Sequence, residues 1–158
     1  MDTTKVMIQL SSWDKKFIAL ADHIATWSKD RSTKIGAVIV DDNHRVLSVG
    51  YNGFPAGFDD EVEDRHGRPQ KYLYTEHAER NAIYSAARNG TSLVGSTIYI
   101  QWFSCADCAR AIIQSGIKKV VCQIPDWQND EKSKRWEDSQ KVALEMFLEC
   151  GIEIQYYE

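Results

Sequence analysis

TEHAERNAI at residues 75–83 carries His77 and Glu79 in the pattern His-x-Glu. Farther along the chain, SCADC supplies Cys105 and Cys108 in the pattern Cys-x-x-Cys. One imidazole and two thiolates are ligands that suit Zn²⁺ better than a hard cation. Three protein ligands leave the fourth tetrahedral position for water, which is typical of a catalytic rather than a structural zinc site.

Glu79 is expected to be a proton shuttle, because it lies two residues from His77 and is not needed as a ligand. Zinc lowers the pKa of bound water toward ~7, so zinc-bound hydroxide is the expected nucleophile and Glu79 moves its protons. The alternative is a structural zinc site, or a reduced cysteine pair beside a chance histidine. In that case His66 could be a fourth ligand or bind a second metal.

The chain has 158 residues, which predicts one domain over residues 1–158 with a core of its own. Its formal net charge of −4 gives no overall attraction to nucleic acid or to anionic membranes, and no nucleic-acid partner is expected. No apolar run resembles a signal peptide or a membrane span. Cys122 and Cys150 are interpreted as free thiols, and the cysteine usage as a whole favours a reducing cytoplasm.

Hydrophobic periodicity predicts the element order α-β-β-α-β-α-β-α-β, in which the alternation after the first hairpin implies parallel crossovers and helices on both sheet faces. The charged run of residues 130–141 is expected to be an exposed helix face. Residues 1–11 are expected to form a loose arm, Ser12 to cap the first helix, and residues 58–71 to be irregular. The helices are expected near 13–28, 76–89 and 105–115 and within 128–149, and the strands at 35–40, 45–50, 97–103, 119–124 and 152–156.

Four motifs carry a resemblance to a known family: STKIGAVIV at 32–40, GYNGFP at 50–55, HAERNAI at 77–83 and CADCA at 105–109. Over about residues 12–125, the sequence resembles the deoxycytidylate (dCMP) deaminase family of the cytidine deaminase superfamily. The zinc motif marks only the superfamily, whereas GYNGFP points to dCMP deaminases in particular.

The resemblance implies a three-layer α/β/α fold with a central five-stranded mixed sheet, and one catalytic Zn²⁺ per subunit. It implies hydrolytic deamination of dCMP to dUMP and ammonia, within the pyrimidine nucleotide metabolism that supplies dTMP. It also implies homo-oligomers and, in many members, dCTP and dTTP as effectors. The loop containing Gly50, Tyr51 and Gly53 is associated with that regulation. In such enzymes the residue matching Asn52 contacts the sugar, and the backbone at Ala78 helps to hold the pyrimidine.

Other substrate contacts are suggested by residue type. Lys34, in a basic loop with Lys29 and Arg31, could receive a phosphate, although charge runs are usually solvated. Trp102 could stack on a base, although aromatic residues at strand ends are more often part of the core. Ser104 stands where the family usually has proline. It could cap the next helix and could change the pocket wall beside it.

Three other functions remain open from the sequence. The chain could deaminate another cytosine nucleotide or nucleoside, such as dCTP or deoxycytidine. It could act on a purine, although a tRNA editor should carry a basic surface and the pI here is near 5.6. It could also be a non-catalytic zinc-binding regulatory subunit, in which a non-ligating carboxylate at Glu79 would have no purpose.

Overall fold

The structure is a computed structural model that describes residues 9–158. All nine predicted helices and strands are present in it, with ends that differ from prediction by a few residues. Among the helices of these residues, none is both long and apolar enough to cross a membrane. The helices are α1 (Ser12–Ala25), α2 (Lys71–Tyr74), α3 (Ala78–Arg88), α4 (Ala106–Gln114) and α5 (Glu131–Glu149), and the strands are β1 (Gly36–Val40), β2 (Val46–Tyr51), β3 (Thr97–Ile100), β4 (Lys119–Gln123) and β5 (Glu153–Tyr157).

The five strands form one mixed sheet in the order β2-β1-β3-β4-β5. Strand β1 is antiparallel to both β2 and β3, whereas β3, β4 and β5 are mutually parallel. All five residues of β1 are buried, which explains why this strand is a continuous apolar run rather than an alternating one. The predicted fold class and the parallel crossovers are confirmed.

Helices cover both faces of this sheet, as predicted. On one face, Phe17, Ala21 and Ile24 of α1 pack against a cluster that includes Val38 and Val121. On the other face, α3, α4 and α5 pack against alternate residues of the same strands. That second cluster includes Ala37, Ile39, Ile98, Val120, Ala82, Ile112 and Phe147.

The N-cap of α1 is Ser11, so the prediction of Ser12 was wrong by one residue. The Ser11 hydroxyl accepts a hydrogen bond from the Asp14 amide at 3.0 Å, and the Asp14 carboxylate accepts one from the Ser11 amide at 2.9 Å. This reciprocal pair requires the carboxylate partner three positions after the cap, a spacing that Ser11 has and Ser12 lacks.

The segment predicted to be irregular contains two short elements, a 3-10 helix at Glu63–Arg65 and helix α2. Each spans about one turn, which is too short to show a hydrophobic period in sequence. Helix α2 places Lys71 beside Asp30 at 3.1 Å, with both side chains largely buried, and this ion pair joins the segment to the loop after α1.

Gly50 in β2 allows α3 to lie directly against the sheet. A Cβ atom at Gly50 would lie 2.4 Å from the Ala82 amide nitrogen and 2.5 Å from the Ala78 carbonyl oxygen. Both contacts are with backbone, so no side-chain rotation can relieve them. The close approach also fixes the first turn of α3, where His77 and Glu79 lie.

We expect Gly50→Ala to lower the free energy of unfolding by about 1–3 kcal/mol, because α3 must move away from the sheet. Gly53→Ala is the matched control. Nothing lies within 4 Å of a Cβ there, so we expect a change below about 0.5 kcal/mol. Urea denaturation of both variants measures the difference. Equal stabilities would contradict the close packing of α3 on β2.

Candidate active site

His77, Cys105 and Cys108 converge at the N-termini of α3 and α4. His77 is the N-cap residue of α3, and Cys105 is the N-cap residue of α4. The Cys105 sulfur accepts a hydrogen bond from the Cys108 amide at 3.5 Å. Free backbone N–H groups and the helix dipole favour negative charge at such a position, which helps to hold thiolates there.

The three side chains present a ligand set of the right size for zinc. The Sγ atoms of Cys105 and Cys108 each lie 3.4 Å from Nδ1 of His77, and the three atoms all lie within 4.8 Å of one another. Tetrahedral Zn–S and Zn–N bonds place such atoms about 3.6 Å apart. Two sulfurs and one imidazole nitrogen therefore fit one Zn²⁺ with an open fourth position.

The charges at this site also favour a cation. A hydrogen bond with Cys108, together with His77, lowers the pKa of the Cys105 thiol to about 4. That same hydrogen bond and burial raise the pKa of Cys108. Burial opposes protonation of His77, but Cys105 and Glu79 outweigh it and raise its pKa as well. Cys108 and His77 therefore hold protons at positions where a divalent cation would bind instead.

Glu79 lies in the first turn of α3 with only 6% of its surface exposed, and it lines the same cavity as His77 and Cys105. Burial raises the pKa of its carboxyl group, because the charged form is poorly solvated there. A carboxyl group with a raised pKa can both accept and return a proton near neutral pH.

A charged network that sequence analysis missed holds the two helix starts together. The Glu76 carboxylate accepts hydrogen bonds from the His77 amide at 3.0 Å and from Arg80 Nε at 2.5 Å. Arg80 also lies 3.6 Å from Asp107 at the start of α4. The network therefore fixes His77 relative to Cys105. The spacing of Glu76 and Arg80, four residues apart, was the available sequence signal.

Helix α5 forms a wall of the site, and the prediction that residues 130–141 are simply an exposed face was wrong. The Ala106 backbone amide donates a hydrogen bond to the Ser139 hydroxyl at 2.9 Å, and the side-chain amide of Gln140 donates one to the Phe103 carbonyl at 2.8 Å. Both contacts support the loop that carries Cys105. The cap predicted at Ser104 is also wrong, because Cys105 occupies that position.

The cavity that contains His77, Glu79 and Cys105 is called the active-site cavity below. Of the five substrate contacts expected from the sequence, Asn52, Ala78 and Trp102 line it. Lys34 is exposed and lies outside the lining, and Ser104 is 1% exposed and also outside it. The structure therefore does not bring Lys34 or Ser104 to the cavity.

Asn52 links the active-site cavity to the loop before β1. Its side-chain oxygen accepts from the Ile35 amide at 2.8 Å, and its side-chain nitrogen donates to the Thr33 carbonyl at 2.8 Å. An asparagine amide has a second N–H and a second lone pair, so one donor and one acceptor remain available for a ligand.

The basic loop after α1 is engaged away from the active-site cavity. Lys29 lies 2.9 Å from Asp60, and Arg31 pairs with Glu63. Lys29 and Arg31 line a second cavity. His66 also faces that side, where its ring nitrogen contacts the Asp60 carbonyl, and it is not part of the metal-ligand cluster.

Gly50 and Tyr51 end strand β2, and Gly53 lies just beyond it. Tyr51 and Gly53 line the second cavity, whereas Gly50 packs against α3. The Tyr51 carbonyl accepts from the Asn81 side chain at 2.8 Å. Gly53 exchanges two backbone hydrogen bonds with Glu76, next to His77.

Solved structures include a similar protein. A dCMP deaminase from the cyanophage S-TIM5, crystallised with dCMP and dUMP, superimposes with a TM-score of 0.72 and 25% identity. The match covers 94% of this chain and all of the phage chain.

Curated sequences include closer relatives. An uncharacterized deaminase encoded in the luxG 3′ region of Aliivibrio fischeri is 43% identical over 147 residues, which are 93% of this chain and 95% of the relative. Human deoxycytidylate deaminase is 35% identical over 126 residues, which are 77% of this chain and 70% of the human protein. The family model for the cytidine and deoxycytidylate deaminase zinc-binding region matches residues 11–124 and so spans every ligand described above. The chain therefore belongs to the cytidine and deoxycytidylate deaminase family.

Proposed function

We propose that this protein is a zinc-dependent hydrolase that converts dCMP to dUMP and ammonia by breaking a C–N bond of the cyclic amidine. The observation that carries the proposal is the buried carboxyl group of Glu79 in one cavity with His77 and Cys105, whose ring nitrogen and sulfur atoms cluster with the sulfur of Cys108. A purely structural zinc site has no need for such a carboxyl group. The named activities of the similar phage and human proteins support the same substrate.

His77, Cys105 and Cys108 would hold one Zn²⁺, which supplies a water molecule of lowered pKa when it is bound. Glu79 takes a proton from the attacking water and delivers it to N3 of the pyrimidine as the C4–O bond forms. Glu79 then transfers the second proton of that oxygen to the amino group, and the C4–N bond breaks to release ammonia. One carboxyl group therefore acts first as a base and then as an acid, and its raised pKa suits both steps.

Three further residues are assigned to the substrate. Asn52 offers its remaining amide donor and acceptor to the sugar. The backbone at Ala78, between His77 and Glu79, contacts the pyrimidine. Trp102 is half-buried in the cavity lining, where its ring can pack on the base.

The second cavity is assigned to a dCTP or dTTP effector. It shares Asp30, Asn52, Lys71 and Thr75 with the active-site cavity, so a ligand in one cavity contacts the wall of the other. We further assign the chain to a single domain in the cytoplasm and to a homo-oligomer.

The proposal is tested by ammonia release from the zinc-loaded protein with dCMP, dCTP, CMP, deoxycytidine, guanine and adenosine offered separately. We expect dCMP to have the highest kcat/KM. Turnover of another compound in preference to dCMP would move the substrate while keeping the mechanism. No turnover of any of the six by protein with bound zinc would overturn the proposal.

A further inference from the structure

Four basic side chains line the active-site cavity, and the three exposed ones mark its mouth, although the whole chain has a formal net charge of −4. Glu79 lies buried below them, and Asp30 is the other carboxylate in the cavity lining. The mouth therefore carries a local positive charge that the bulk composition hides. The basic residues are Arg68, Lys71, Lys132 and Arg135.

Three of these four cations already have fixed partners. Lys71 is paired with Asp30, so its charge is largely neutralised. Arg68 donates to the Ser32 hydroxyl at 3.0 Å, and Lys132 donates to the Ser32 carbonyl at 2.9 Å. Neutral oxygens leave the charges of Arg68 and Lys132 uncompensated, and Ser32 holds both cations near each other.

Arg135 is different, because its side chain has no hydrogen bond or carboxylate partner among residues 9–158. It lies three residues after Lys132 on α5, so the two side chains share one helix face. The next residue, Trp136, has its ring centroid 5.6 Å from that of His77. The start of α5 thus reaches from the cavity mouth to the metal ligands.

We infer that Lys132 and Arg135, assisted by Arg68, bind the 5′-phosphate of the substrate and make the enzyme select a nucleotide over a nucleoside. The inference rests on the proposed function, which supplies a phosphate monoester as the substrate. Such a group is close to a dianion at neutral pH, and an arginine fork can bind two of its oxygens. Trp136 lines the same cavity, with its ring packed against that of His77.

This phosphate site lies partly outside the shared zinc-binding region. The family model ends at residue 124, whereas Lys132, Arg135 and Trp136 belong to α5. The part of the chain beyond the family match is therefore inferred to determine the substrate class, while the matched part supplies the metal ligands and Glu79.

The experiment compares wild-type protein with the double variant Lys132→Gln/Arg135→Gln, which removes two charges and retains good helix formers. We expect the ratio of kcat/KM for dCMP to that for deoxycytidine to fall about 100-fold, mostly through KM for dCMP. Lys134→Gln is the control. Lys134 is on the same turn but pairs with Glu131 and lies outside the cavity lining, so we expect its ratio to stay within about twofold.

Equilibrium binding of dUMP and deoxyuridine gives a measurement that needs no turnover. The double variant should weaken dUMP binding about 100-fold and leave that of deoxyuridine within about twofold. An unchanged dUMP affinity, or equal losses for dUMP and deoxyuridine, overturns the inference even where the zinc-loaded enzyme deaminates dCMP. Specific dUMP binding without any dCMP deamination would instead overturn the proposed function and support the phosphate site.

Discussion

Glu79→Gln is expected to lower kcat for dCMP by about 10³- to 10⁴-fold while leaving zinc bound, because the amide cannot accept or return a proton. The substitution keeps the size of the side chain in a site where only 6% of Glu79 is exposed. It also removes a carboxyl group whose pKa is raised by burial, so no loss of folding stability is expected. A large loss of rate with intact zinc and intact folding isolates the proton transfer from every other contribution of the residue.

Three measurements on one preparation test this expectation: zinc per chain, the thermal unfolding midpoint and ammonia release. Glu149→Gln is the control for the chemical change itself, because Glu149 is exposed at the end of α5 and lies outside the cavity lining. It should behave as wild type in all three measurements. If Glu79→Gln retained more than about a tenth of the wild-type kcat, the assignment of Glu79 as the proton shuttle would be wrong.

The metal ligands and the fold could be predicted because their signals are local. His77 and Glu79 lie on one helix start, Cys105 and Cys108 on another, and each pair is fixed by spacing within a single turn. The regular alternation of apolar strands and amphipathic helices is also a local signal, and it predicted the sheet with helices on both faces. The structure adds that Nδ1 of His77 faces the two sulfurs, which no spacing determines.

The wall formed by α5 could not be predicted, because its contacts join residues far apart in the chain. Gln140 bonds the Phe103 carbonyl, and Lys132 bonds the Ser32 carbonyl, across gaps that no local pattern records. A charged helix run is usually solvated, so residues 130–141 were predicted to be exposed. That prediction was wrong for the side of α5 that faces the cavity. The phosphate site was sought at Lys34 for the same reason, since a basic loop is visible in sequence and a basic cavity mouth is not.

The N-cap residue of α4 was predicted wrongly for a different reason. Serine is a strong N-cap residue and cysteine is not, so Ser104 was the natural choice from sequence. The structure uses the Cys105 sulfur instead, which accepts from the Cys108 amide at 3.5 Å. The requirement that both sulfurs face one ion outweighs the ordinary preference for a hydroxyl cap, and Ser104 is left buried beside it.

Cys108→Ser is expected to weaken zinc binding by at least 100-fold and to abolish dCMP deamination. Loss of a residue that merely orients a ligand costs about 10- to 100-fold in metal affinity, and Cys108 is itself a ligand. Cys150→Ser is the matched control, because Cys150 is exposed and lies outside the ligand cluster. It should keep one zinc per chain and full activity. Metal analysis after dialysis against a chelator measures the difference.

Folding stability provides an independent measurement of the same site. Zinc at 1,000 times its Kd stabilises a native protein by about 4 kcal/mol, so a chelator should lower the unfolding midpoint of wild type and of Cys150→Ser. At that zinc concentration a site weakened at least 100-fold gains at most about 1.4 kcal/mol, so the chelator should shift the midpoint of Cys108→Ser much less. The metal-free Cys108 thiol has a raised pKa, so zinc binding must release its proton. The affinity of the wild-type protein for zinc should therefore fall about tenfold or more for each unit of decreasing pH near neutrality. A midpoint shift in Cys108→Ser as large as that of wild type would show that zinc binds elsewhere, since a site without this thiolate has lost one of its three protein ligands.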